Sequence, residues 1–289
     1  MSNLFETITA KIIQVIEAGE ATGSISWAGQ GASGAMPRNF KTGNMYSGIN
    51  VLLLWAEAQA NGYASNFWLT FNQAKELGGS VQKGQKGTQC VFWGSREIEE
   101  ENDNGETEAR KASFAKAFYV FNLDQIDGIE APATAPAGNV WDAHAAAEAL
   151  IQASGARILE GGTMACYAPL KDEIRMPDRD RFQNAENYYA VALHELTHWT
   201  GHATRCARDL KSRFGDEAYA MEELVAELGA AFLSAETGIA GQLENHACYI
   251  KSWLKALRRD PRAIITAASK ASQAARFLLD DQGAVKAAA

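Results

Sequence analysis

The stretch that most constrains this 289-residue chain runs from Tyr188 to His202 and reads YYAVALHELTHWTGH. His194 and His198 are four residues apart, so on a helix both imidazoles lie on one face, and Glu195 stands beside the first of them. This H-E-x-x-H pattern suits a metal. Neutral His nitrogen ligates zinc at about 2.0–2.1 Å, and an adjacent carboxylate can deprotonate a bound water. Tyr189, Ala190, Val191, Leu193 and Leu196 supply the apolar face that such a helix buries, and Gly201 stands where it should stop. The spacing predicts a buried helix carrying two metal ligands and, in Glu195, the general base of a metalloprotease-type site.

A tetrahedral catalytic site needs a third protein ligand. In Met221–Glu227 a second apolar helix carries Glu223 and Glu227 one turn apart, so one can ligate while the other orients His194, whose second ring N–H needs an acceptor. Glu223 is the preferred ligand. His202 is the rival, although its spacing from His194 is shorter than that of the third metzincin histidine, and Glu222 is the remaining choice. His202 and Glu227 are otherwise assigned to the surroundings of the ligands or to substrate contact.

With 47% hydrophobic and 21% charged residues the chain can build a sizeable core, and it is long enough for two domains. No apolar run approaches the length of a membrane span, and the first helix, marked by Leu4, Ile8, Ile12, Val15 and Ile16, is amphipathic and unlike a signal peptide. A cytoplasmic protein with no membrane partner is expected. Cys90, Cys166, Cys206 and Cys248 are far apart, which fits reduced thiols better than a disulfide framework or a zinc knuckle.

Turn and capping signals divide the chain. Asn61-Gly62 closes an apolar helix from Ile49, Thr70 and Gln73 form a capping box, and Asn104-Gly105 predicts the tip of a hairpin between Gln89–Ile98 and Phe114–Phe121. Residues 130–140, rich in Ala, Pro and Gly, read as a linker between domains at 1–129 and 141–289. The fold class is α+β, with a mixed first domain and a mainly helical second domain that holds a small sheet. In the second, Thr163–Tyr167 and Glu173–Pro177 read as paired strands ahead of the metal-motif helix, and Ile174 and Met176 are assigned to an edge that aligns an extended peptide. Asp260 caps a last helix with Pro261 at its first position.

A net charge of −8 argues against a wholesale polyanion binder, but acids crowd into Glu97–Glu108 and leave the rest of the first domain basic. There Arg38, Phe40, Lys41, Tyr46, Trp68, Phe71, Lys75, Lys83, Lys86 and Trp93 interleave bases with aromatics. Single-stranded nucleic acid binds such surfaces because any base can stack on an aromatic ring while Lys and Arg follow the phosphates. Most aromatics in a domain of this size are core, so composition alone carries this weakly.

The stretches Tyr46–Leu54, Trp68–Ala74 and Gly78–Gly84, with HELTHWTGH, Tyr219–Glu227 and Tyr249–Lys255, resemble the ArdC-type antirestriction proteins of conjugative plasmids. The resemblance covers most of the chain and holds at His194, Glu195, His198 and Glu223. It implies a primase-like N-terminal domain that binds single-stranded DNA, a zincin-like zinc metallopeptidase domain, and protection of incoming plasmid DNA. The protein substrate, which a host restriction component would satisfy, is not readable. Two further readings stay open. One is a DNA-coating protein with a structural metal; the other is an acidic DNA mimic, to which the clustering of acids in one loop is poorly suited.

Overall fold

The computed structural model describes residues 2–22, 27, 35–101, 107–130, 140–210, 217–239 and 247–286. The hairpin tip at Asn104-Gly105 and linker residues 131–139 lie outside the described residues.

The first half opens with α1 (Ser2–Thr22), whose Ile8, Ile12 and Ile16 recur at helical spacing and are all buried. After β1 (Arg38–Asn39), α2 (Ile49–Asn61) ends at Gly62, where φ of 68° requires a residue without a Cβ penalty. Then come β2 (Phe67–Leu69) and α3 (Phe71–Glu76), whose N-terminus carries both halves of the Thr70–Gln73 capping box. Next are β3 (Ser80–Val81) and the long hairpin β4 (Thr88–Glu101) and β5 (Thr107–Asn122), followed by β6 (Ile126–Asp127). One sheet has the order β1-β2-β5-β4, and β3 pairs with β6. β4 is an edge strand, and the Asn50 side chain closes it by bonding both the N–H and the C=O of Val91, at 2.8 and 2.9 Å.

The second half holds α4 (Val140–Ser154), β7 (Arg157–Glu160), β8 (Cys166–Ala168), β9 (Glu173–Met176), α5 (Ala185–Thr200), α6 (Glu217–Thr237), α7 (Ala247–Arg259) and α8 (Ala263–Lys286). Its sheet has the order β7-β9-β8, with β9 parallel to β7 and antiparallel to β8. Asp260 accepts the Arg262 N–H at 2.9 Å just ahead of α8, as the sequence signal requires. α6 is apolar nearly all round, from Leu224 to Leu233, and sits among α5, α7 and α8.

One apolar core runs through both halves. It joins Ile8, Ile12 and Ile16 of α1 and Ile49, Val51 and Trp55 of α2 to Leu224, Leu228 and Phe232 of α6 and Ile264 and Leu278 of α8. Each such side chain contributes about 1.5–3 kcal/mol on burial. Polar contacts bridge the same seam: Thr9 Oγ1 donates to Pro261 O at 2.6 Å, and Arg38 grips Glu236 with both carboxylate oxygens at 3.0 and 3.1 Å. No described helix is long and apolar enough to cross a membrane.

Candidate metal centre

α5 begins at Asn184, whose side chain accepts the Asn187 N–H at 2.8 Å, and it buries Leu193, Leu196, Trp199 and Thr200. Its last turn is fixed from outside. Arg205 donates to Trp199 O at 2.7 Å and lies over the Trp199 ring, while Arg208 donates to Thr197 O at 2.6 Å and Thr200 Oγ1 at 2.9 Å. Two cations at a helix C-terminus complement its dipole. Gly201 is needed here for space. A Cβ would stand 2.9 Å from His198 O and 3.0 Å from Arg208 Nη2, although its φ of −71° suits any residue.

α6 approaches α5 closely because Gly229 faces Thr197; a Cβ there would lie 2.4 Å from Thr197 Cγ2. That approach brings the carboxylates of one helix to the imidazoles of the other. Glu223 faces both ligand nitrogens, with Oε2 3.5 Å from His194 Nε2 and Oε1 3.6 Å from His198 Nε2. The three ligand atoms lie within 4.8 Å of one another. Ligands about 2.0–2.2 Å from a tetrahedral ion stand roughly 3.3–3.6 Å apart, which the two carboxylate-to-imidazole distances match. Behind the rings, His194 Nδ1 faces Glu227 Oε2 at 3.8 Å and His198 Nδ1 meets Glu222 Oε1 at 3.2 Å. Each imidazole thus points Nε2 at Glu223 and Nδ1 at a carboxylate, the orientation a metal-bound histidine needs. Glu222 is itself clamped by Arg208, whose Nε and Nη2 reach it at 2.9–3.2 Å and whose side chain is 2% exposed.

The electrostatics are those of a cation site. Burial opposes a charged His194, yet Glu223, Glu227 and Glu195 outweigh it and push its pKa up to about 10; His198 is raised in the same way by Glu222 and Glu223. Burial likewise works against a Glu223 anion, but the two imidazoles hold its carboxyl far below the usual range. A site that draws protons this strongly suits a divalent ion instead.

A cleft of about 310 Å³ opens over these groups. Glu195 lines it, as do Cys166 and Tyr167 of β8 and Tyr219 and Tyr249 of α6 and α7. Tyr219 hydrogen-bonds to Glu223, and burial followed by that carboxylate raises its phenol pKa strongly. Tyr219 and Tyr249 stood out in the sequence only as the first residues of two family-like stretches, and neither Arg208 nor the task of Glu222 had a signal. Arg208 follows an irregular turn, and Tyr219, one turn before Glu223, looks like core.

Several expectations need correction. Ile174 and Met176 are fully buried on β9, the central strand, so they form no substrate edge; β8 is the edge at the cleft. The other edge, β7, had no signal in a short, charged RILE segment. His202 is absent from the ligand cluster among the described residues and bonds Thr204 through Nδ1 at 2.9 Å. Trp68 is 1% exposed and packs with Leu54, Ala58, Cys90 and Val120, so it cannot stack on a base. Tyr46 is half-buried with its hydroxyl near Asn39, and burial pushes its phenol up to about 12. Arg38 is held by Glu236 and Lys41 by Glu76. Lys75, Lys83 and Lys86 are exposed, and Trp93 is 49% exposed.

These elements define a two-part protein in which a mixed N-terminal half is joined to a zincin-like helical half. Comparison with known proteins agrees. Residues 145–270 match the zincin-like metallopeptidase family and residues 2–121 the N-terminal domain of the anti-restriction factor ArdC. The crystal structure of the antirestriction protein ArdC from plasmid R388, metal-free, superposes with a TM-score of 0.79 at 39% identity, over 97% of this chain and 98% of that one. A Mn(II)-bound structure of the same protein gives 0.77 at 38% identity, over 96% and 97%. An uncharacterized protein, y4eC, of Sinorhizobium fredii is 39% identical over 96% of this chain and 92% of its own length. DNA primase TraC of Escherichia coli is 38% identical over 95% of this chain, which spans only 27% of the primase. The chain belongs to the ArdC family of antirestriction proteins.

Proposed function

We propose that the protein is a zinc-dependent peptidase that also binds single-stranded DNA, and that it protects incoming plasmid DNA by cutting a host protein, with a restriction component as the target. The DNA surface lies within 1–129 and the peptidase within 141–289, both acting in the cytoplasm. The observation that carries the peptidase reading is the placing of Glu223 before both Nε2 atoms while Glu227 and Glu222 back the Nδ1 atoms. Among the described residues three protein ligands converge, beneath an open cleft, whereas a structural zinc site is closed by four.

His194, His198 and Glu223 would hold the ion, which when bound supplies a Lewis acid for a carbonyl and lowers the pKa of a water. Glu195, 8% exposed and facing the cleft, takes the proton of the attacking water and returns it to the leaving amine. β8 aligns the substrate backbone by strand addition. Tyr219, which also lines the cleft, holds the Glu223 carboxylate.

Replacing Glu195 by Gln keeps size and hydrogen bonding but removes the base. Hydrolysis should fall by about 10²–10⁴ with metal content and DNA affinity unchanged. Transfer efficiency into a restricting recipient, at equal expression, then reads the biological role. Full protection by the variant would reject the peptidase account of protection.

A further inference from the structure

Where the two halves meet, a second and larger crevice opens, with a volume of about 650 Å³, inside the range of roughly 300–1,000 Å³ typical of small-ligand sites. One wall is α8. Thr266, Ser269, Lys270, Gln273 and Arg276 recur at steps of three and four, so they form one exposed stripe of cations, hydroxyls and an amide. The other wall is the start of α2, pinned to α8 by the Gly48 N–H, which donates to Ser272 Oγ at 2.7 Å. Gly48 has φ of 61° and α2 has no side-chain N-cap, so its first turn adds positive potential at the rim.

Trp93 of β4 completes the lining. Phe5 stacks on it at 5.7 Å with the rings 6° apart, and Arg262 lies over Phe5. The indole is thereby held in place while 49% of it stays exposed. Among the described residues no carboxylate lines the crevice, and neither Lys270 nor Arg276 is paired with one. In a chain of net charge −8, a cation-lined, acid-free crevice beside an exposed indole is a local reversal of sign.

We propose that this crevice holds a segment of single-stranded DNA, with a base against Trp93 and phosphates against Lys270 and Arg276. The strand therefore crosses from the first half onto α8 and is gripped by both halves. The proposal rests on the DNA-binding reading above and extends it beyond residues 1–129. A free nucleotide shares the chemistry. The strand is preferred because the crevice is open and offers no carboxylate to fix a sugar or a base edge, whereas stacking plus phosphate contact is the sequence-tolerant mode of strand binding.

The test uses the full chain and a fluorescein-labelled oligothymidylate, with anisotropy titrations over a range of NaCl. Lys270→Ala with Arg276→Ala should reduce the slope of log affinity against log salt by about 1.4, two phosphates at about 0.7 each for a single strand. Trp93→Ala should weaken binding about tenfold and Trp93→Phe should restore most of it. Melting temperature identifies any variant that fails to fold, and the exposed Lys270 and Arg276 pair keeps the test intact if Trp93→Ala does. An unchanged slope in the double variant, with Lys83→Ala and Lys86→Ala weakening the same strand, overturns the crevice and leaves DNA binding standing. Displacement of the strand by thymidine monophosphate at equal concentration makes the crevice a mononucleotide site and also overturns the proposal. No binding by the parent removes both readings.

Discussion

The metal cleft and the basic-aromatic surface of the first half use similar residue types and arrange them oppositely. In the cleft the carboxylates around the two imidazoles are buried and answered: Glu222 by Arg208 and His198, Glu223 by both imidazoles, Glu227 by His194. In the first half the bases are exposed or half-buried, and those that find acids find them singly, as Arg38 does in Glu236 and Lys41 in Glu76. Buried charge demands a complete set of partners, so position in the network defines a residue's task. On a surface the task depends on exposure and neighbours that no local pattern encodes.

The largest expected effect separates ligand from bystander inside the cleft. Glu223→Ala should leave the purified protein without metal, while His202→Ala should retain about one ion per chain, because the His202 ring bonds Thr204 and is not in the ligand cluster formed by the described residues. Metal analysis of the two variants decides it. Equal retention would mean that the third ligand is another group and that proximity in the cleft does not define a task.

Much of this contrast was legible beforehand, and the reason is geometric. A single helical repeat sets His194, His198, Glu223 and Glu227, so four-residue spacing was enough to anticipate which groups meet. Glu222 was misjudged because spacing cannot reveal the angle at which α6 crosses α5, and that angle sends Glu222 behind His198. Strand order has no local signature either. The pattern of Glu173–Met176 marks a strand correctly, but only the partner β7 makes it central rather than an edge. Trp68 fails for a related cause: an aromatic in a three-residue strand reads the same whichever face is covered.

Next in size come two substitutions that probe burial on each side of the comparison. Arg208→Met leaves the Glu222 carboxylate buried with one partner fewer, and should cost about 3–5 kcal/mol in unfolding free energy and lower metal affinity about 10–100-fold. Trp68→Ala should cost about 3–5 kcal/mol by opening a cavity under the sheet, whereas Trp93→Phe should stay within about 1 kcal/mol. Chemical denaturation gives all three numbers. If Trp68→Ala proved stable and weakened DNA binding instead, its assignment to the core would be lost.

The smallest effect tests whether a polar network beside the cleft counts for much when it is partly exposed. Asp172 accepts from Arg205 and Tyr167, tying the turn after β8 to the C-terminus of α5. The Arg205 hydrogen bonds hold the Asp172 carboxyl below its ordinary value against an opposing effect of burial. A carboxyl lowered on folding stabilises the protein above its unfolded pKa of about 3.9, and that stabilisation fades as pH falls through the lower folded value. Asp172→Asn should therefore lower stability by a constant amount from neutral pH down to about 4, with the gap closing in more acidic solution. The side chain is 39% exposed, so solvent screens the pair and the gap should stay under about 1 kcal/mol, shrinking further in high salt. Asn is the right probe because residue 172 has φ of 49°, a left-handed conformation that Asn tolerates and Ala does not, so backbone strain is kept out of the measurement. Unfolding midpoints of the two proteins between about pH 3 and 7 give the result. A gap as large as that of Arg208→Met would mean that connectivity, more than burial, separates the cleft from the surface of the first half.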